Sequence, residues 1–144
     1  MLGLIQRVSE AKVIVSGKVT GQINRGILLL LGVQKNDTEA NMTRLLHKVI
    51  HYRVFPDEKG HMNLNLQDIT GELLVVPQFT IAADTKKGLR PSFSSAAKPG
   101  EAEVLYDEFV RESGKLCPTR TGVFGADMKV SLINDGPVTF MLNC

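Results

Sequence analysis

The sequence predicts an α+β domain, a small and partly closed barrel-like sheet with two main helices, and three observations lead there. Most of the stretch from Leu2 to Val33 alternates or runs apolar in the manner of strands. Two later stretches, one after Asp37 and one after Pro99, instead repeat their apolar residues at helical spacing. The chain then closes on two strand-like runs, Met128 to Ile133 and Phe140 to Leu142, on either side of Asn134-Asp135-Gly136-Pro137-Val138-Thr139.

In order, Leu2 to Val8 and Ala11 to Val15 read as the first strands, followed by a Ser16-Gly17 turn and a strand from Val19 to Ile23. After a turn at Asn24-Arg25-Gly26, Ile27 to Val33 is apolar on both faces, as in a central strand covered on both sides. Asp37 or Thr38 can cap the helix that follows, whose Met42, Leu45, Leu46, Val49 and Ile50 form one buried stripe. Beyond Tyr52 to Phe55, a polar segment leads through Met62 to Leu66 and then to the run Leu73 to Ile81. Pro77 lies inside that run and has no amide hydrogen, so residues 77 to 80 should be an edge or a bulge with part of their backbone unpaired.

Residues 83–98 make a long loop rich in Lys, Arg, Ser, Gly and Pro, a length often tied to function in compact domains. Pro99 suits the first turn of a second helix, which presents Ala102, Leu105, Tyr106, Phe109 and Val110 on one side and stops near Gly114. Strands near Val123 and from Met128 follow, for a total of about seven or eight. Gly136-Pro137 must then be an edge, a bulge or a sharply turned crossing, unless the proline merely ends an Asp135-Gly136 hairpin. The last strand, Val138 to Leu142, is apolar on both faces and needs a partner sheet; a second copy of the chain is the simplest source.

At 144 residues and 43% hydrophobic, the chain has the size of one domain, residues 1–144. No apolar run reaches the ~18 residues of a membrane span, so a soluble, cytoplasmic protein is expected. Cys117 and Cys144 are too few for a disulfide framework. A net charge of +2, from 17 basic and 15 acidic side chains, argues against gripping a long duplex such as DNA but permits contact with a nucleic-acid end.

Several residue patterns suggest chemistry, and each has a plainer reading. His47 and His51 have the spacing of two zinc ligands, yet Lys48 stands where a metalloprotease helix has its Glu and no third ligand is evident, so solvated histidines are expected and no metal. Cys117, followed by Pro118, could be a nucleophile, but no His is nearby in sequence and a small buried or half-buried thiol is expected. Thr80 is either a nucleophile, which would require a base that the sequence does not offer, or a positioning or strand-packing residue. Lys86, Lys87 and Arg90 form either an RNA-phosphate contact or a solvated loop.

Val76-Pro77-Gln78-Phe79-Thr80-Ile81, Gly125-Ala126-Asp127-Met128 and Asn134-Asp135-Gly136-Pro137-Val138-Thr139 together resemble the D-aminoacyl-tRNA deacylase family. The likeness extends through Leu4-Ile5-Gln6-Arg7-Val8, Met62-Asn63-Leu64-Asn65 and Gly88-Leu89-Arg90-Pro91-Ser92-Phe93, nearly the whole chain. The resemblance implies a homodimer that hydrolyses the ester joining a D-amino acid, or glycine, to the 3′-terminal adenosine of tRNA, with no cofactor. It implies that Gly136-Pro137, joined by a cis bond, enters the pocket of the other subunit, where its carbonyls bind the substrate amino group and leave no room for an L side chain. Gln78, Phe79 and Thr80 would line the pocket with amides aimed at the ester carbonyl, and the ribose 2′-hydroxyl would assist the attack. Phe124 and Ala102 would meet the adenine, Met128 would belong to the substrate site, and Arg7 would stand near the Gly-Pro turn. The family most often has Ser where this chain has Pro77, which lacks both that hydroxyl and the amide hydrogen. Phe79, Asp135 and Val138 favour the D-specific branch over a sister branch that edits L-alanine on a threonine tRNA. An acyl hydrolase using Thr80, or a module that binds a tRNA end without catalysis, are the alternatives.

Overall fold

One long strand organises the molecule. In the computed structural model, which describes residues 1–144, β1 (Leu2–Val15) is continuous over 14 residues, where the sequence suggested two strands. On one edge its first half pairs antiparallel with β3 (Gly26–Gly32) and its second half with β2 (Lys18–Ile23). Its other edge pairs with β8 (Lys129–Asn143) along nearly its whole length.

From β3 the sheet continues in parallel to β6 (Glu72–Pro77) and then to β7 (Thr119–Thr121). Parallel neighbours need long crossovers. Here they carry α1 (Glu39–His51) and α2 (Pro99–Ser113). β4 (Phe55–Pro56) and β5 (Met62–Leu64) form a small separate pair within the first crossover. β2 swings back against β7, so close that a Cβ on Gly21 would collide with the Thr121 carbonyl oxygen. Only glycine permits that approach, and it makes the sheet barrel-like.

Alternation in β3 and β6 divides the apolar residues between two cores. Ile27, Leu29, Leu31, Leu73 and Val75 face the helices, where they pack with Met42, Leu45, Val49, Ile50 and Phe109. Leu28, Leu74 and Val76 face the barrel interior with Val8, Ala11, Val13 and Ile23. Both faces are buried, which is why β3 reads as apolar throughout. Each fully buried Leu or Ile contributes about 1.5–3 kcal/mol relative to exposure.

All five stripe residues of α1 are buried. Its cap is Thr38, whose amide and hydroxyl both donate to the Asn41 side chain (3.0 and 2.7 Å). Asp37 does not cap the helix; its carboxylate receives the Met1 ammonium at 2.6 Å and the Gln34 amide at 2.7 Å. Three further expectations require correction. The run after Leu73 does leave the sheet at Pro77, as expected, but Phe79–Ala82 forms a 3-10 turn and not an edge strand or bulge. The strand expected near Val123 is β7, two residues earlier. The two runs flanking Gly136-Pro137 are one strand, β8, and no hairpin forms there.

Candidate active site

The carboxyl ends of the three parallel strands open together, the usual place for a ligand in such sheets. Leu31 and Val33 from the end of β3, Pro77 and Gln78 from the end of β6, and Phe124 beyond β7 line a cavity of about 370 Å³. Ala102 and Tyr106 of α2 form its floor, and Phe93 and Ala97 come from the loop before that helix. Phe79 tilts against Phe93 with ring centroids 5.0 Å apart, and Tyr106 against Phe124 at 5.8 Å. The wall is aromatic and aliphatic, and Tyr106 is its one titratable residue. Burial pushes that phenol well above its ordinary value, with the charge of Asp107 adding to the effect. Its hydroxyl donates to the Val75 carbonyl at 3.1 Å.

Gln78 and the 3-10 turn edge this cavity. The Gln78 amide donates to the Leu31 carbonyl at 2.8 Å, which continues the ladder for one residue past Pro77. Phe79 and Thr80 are the first two residues of the turn, so their amides have no acceptor within it. The first bond of the turn runs from the Ile81 amide to the Gln78 carbonyl. Of the three amides expected at an ester carbonyl, the one at Gln78 is thus already engaged. Its side chain turns toward Thr80, with Nε2 donating to Oγ1 at 2.6 Å.

Gly136-Pro137 lies elsewhere. Gln6 pairs with Thr139 and Val8 with Asn134, so residues 135–138 bulge out of β8 opposite Arg7. The Gly136-Pro137 bond is cis, and both residues are exposed. Arg7 holds the bulge: Nε donates to the Asp135 carbonyl at 2.7 Å while Nη1 donates to the Val54 carbonyl at 2.6 Å. Asn134 braces it from within, accepting the Val138 amide and donating to Thr139 Oγ1, both at 2.8 Å. Arg7 is level with Ile27, while the cavity begins at Leu31. Four residues along a strand are roughly 13 Å, and neither Gly136 nor Pro137 reaches the cavity of its own protomer.

The profile of the D-Tyr-tRNA(Tyr) deacylase family matches residues 4–143. The chain belongs to that family. A D-aminoacyl-tRNA deacylase of Aeromonas hydrophila is 61% identical over 143 residues, covering 99% of both chains. One of Cellvibrio japonicus is 59% identical over 143 residues, covering 99% of this chain and 98% of its own. Among solved structures, the c-Myc DNA Unwinding Element Binding Protein superposes with a TM-score of 0.96 at 37% identity, over 100% of this chain and 99% of its own.

In this deacylase-family chain, four residues named from the sequence meet at one cavity: Gln78, Phe79, Ala102 and Phe124. Thr80 lies just outside its wall, and Arg7, Gly136 and Pro137 form a second cluster. Met128 lines neither. Its sulfur accepts the Val123 amide at 3.3 Å, and it packs against Gly122, where a Cβ would stand 2.7 Å from it. Sequence reasoning missed Leu31, Val33, Phe93 and Tyr106 as wall residues, having read Leu31, Val33 and Tyr106 as core and Phe93 as part of a loop and of a family-like motif without a role. His47 and His51 stack on each other at 4.3 Å on the exposed face of α1, and no group of three His, Cys, Asp or Glu side chains gathers in the chain. Burial raises the Cys117 thiol pKa, opposed by its contact with Thr119, which disfavours the nucleophilic thiolate. No helix is long and apolar enough to cross a membrane.

Proposed function

We propose that this chain hydrolyses the ester of D-aminoacyl-tRNA and glycyl-tRNA as a homodimer, each site combining the cavity of one protomer with the Gly136-Pro137 bulge of the other. The observation that carries the reading is a cavity of about 370 Å³ walled by aromatic and aliphatic side chains, with two amides free of the 3-10 turn at its edge and no side chain suited to act as nucleophile or base. The 3′ adenine stacks on Phe124 above Ala102, for about 1–3 kcal/mol. The ester carbonyl then points at the Phe79 and Thr80 amides, which stabilise its oxygen as it gains charge. A water oxygen bonds to the carbonyl carbon, the bond to the ribose 3′-oxygen breaks, and that oxygen leaves with the proton. The 2′-hydroxyl beside it assists the transfer.

Selectivity comes from main chain. The bulge of the second protomer presents the carbonyls of Gly136 and Pro137 to the substrate amino group, and its backbone occupies the space an L side chain would need. Glycine, with no side chain, passes. Backbone fixed by Arg7 and Asn134 cannot move aside as a rotamer can, so rejection is steep. The relatives named as D-aminoacyl-tRNA deacylases support the substrate class. A second copy also covers the unpaired edge of β8, where Ile133, Phe140 and Met141 are exposed.

The test compares D-tyrosyl-, glycyl- and L-tyrosyl-tRNA, and D-tyrosyl-tRNA ending in 2′-deoxyadenosine. Turnover of the first two only, with the deoxy substrate slowed at least about hundredfold, is the expected pattern. Equal hydrolysis of the L ester would rule out the filter. Full activity on the deoxy substrate would rule out the assisted attack.

A further inference from the structure

The cavity wall is uncharged, but its rim is not. Lys35 follows the end of β3 and donates its amide to Ser95 at 3.0 Å, which places it at the base of the loop before α2. Lys98 lies between the wall residues Ala97 and Pro99. The same loop folds back on itself through an Asp84–Ser92 bridge and carries Lys86, Lys87 and Arg90 at its exposed tip, just ahead of the wall residue Phe93. None of these five cations is in an ion pair; the pairs of the chain lie at Asp37, Arg7, α2 and Lys129. The acids beside them are Asp84, whose carboxylate accepts the Lys86 amide, and Glu101 at the start of α2. The rim therefore keeps a positive excess around an apolar slot.

Resting on the reading above, we propose that this rim binds the phosphates of the single-stranded 3′ end of the tRNA, with the terminal base in the slot and the preceding backbone laid across the basic loop. A neutral aromatic wall takes a base, while unpaired cations around it take the charge a base cannot carry. Arg44 and Lys48 on α1, and Arg53 just beyond it, are also basic, but Arg44 and Lys48 border a separate depression beside Asn143 and Cys144, and Lys48 already donates to the Asn143 carbonyl.

The experiment measures two substrates, D-tyrosyl-tRNA and the D-tyrosyl 3′ ester of adenosine, which has no phosphate. The variants are Lys86→Gln/Lys87→Gln/Arg90→Gln, Lys35→Gln/Lys98→Gln, and the control Arg44→Gln/Arg53→Gln. For the triple variant, KM for the tRNA should rise about tenfold at 0.15 M salt with kcat unchanged, and the slope of log affinity against log salt should fall by about 2, near 0.7 per phosphate contact on a single strand. The double variant should shift in the same direction, and the adenosine ester should be hydrolysed as before by all. An unchanged tRNA KM in both rim variants, or an equal rise in the control, overturns the proposal while wild-type turnover of the adenosine ester keeps the deacylase reading. Failure of the wild type to cleave either ester brings down both.

Discussion

At Thr80, the Gln78 side chain donates to the hydroxyl from 2.6 Å, and a donor amide cannot take a proton from it. Thr80→Ala should therefore keep kcat within about tenfold of wild type, because the amide of residue 80 remains. Trapping of a covalent acyl-enzyme at Thr80 would contradict this. Gly136 is more demanding: its φ is +145°, and a Cβ there would lie 2.6 Å from Val138 Cγ2 and 3.1 Å from Arg7 Nη2. Gly136→Ala must displace one of the groups that hold the bulge. With the bulge misplaced by even about 1 Å, D-ester hydrolysis should fall roughly hundredfold. Circular dichroism should still report a folded chain, since the bulge is exposed and outside both cores.

Secondary elements show where sequence patterns carry enough information. The α1 stripe, the doubly buried β3 and the start of α2 at Pro99 were legible because burial imposes a period, and a proline fits the first helical turn. The end of β6 was legible only in part: Pro77 marked the break in pairing, but Gln78-Phe79-Thr80-Ile81 alternates polar and apolar as a strand does, which gave no sign of the 3-10 turn. β7 was placed two residues late because Thr119-Arg120-Thr121 is too short and polar to make a pattern. The long loop was recognised, but not that it supplies Phe93 to the cavity. Tyr106 ties α2 to β6, and because burial raises its pKa, the folded chain holds the proton longer than the unfolded one. The sign follows: stability is intact below the ordinary phenol value of 10.0 and declines as pH rises above it, since the unfolded state ionises first. Thermal unfolding followed between about pH 9 and pH 11 should show a steeper loss in wild type than in Tyr106→Phe. At neutral pH that variant should lose about 1 kcal/mol with its hydrogen bond to Val75. A parallel decline in both proteins would contradict the assignment.

For the whole molecule, two clusters named from the sequence are far apart in one protomer. Gln78, Phe79, Ala102 and Phe124 gather at the carboxyl end of the parallel strands, while Gly136 and Pro137 stand on the outer strand beside Arg7. No single-chain pattern reveals that separation, because it depends on register: Arg7 pairs with Ile27 and Gly3 with Leu31. The cavity itself, built from five separated segments, was visible only where a motif happened to mark it. In the proposed homodimer a second copy unites the clusters, a reading supported by the exposed apolar residues of β8 and its unpaired edge.

Mixing two inactive variants tests this most directly. Gly136→Ala lacks the bulge and Phe124→Ala lacks the base platform, so each homodimer should be inactive on D-tyrosyl-tRNA. Unfolded and refolded together in equal amounts, half the dimers are mixed and each mixed dimer has one intact site of two, so activity should return to about a quarter of wild type. If the mixture stays as inactive as its parents although mixed dimers form, the site does not span two protomers.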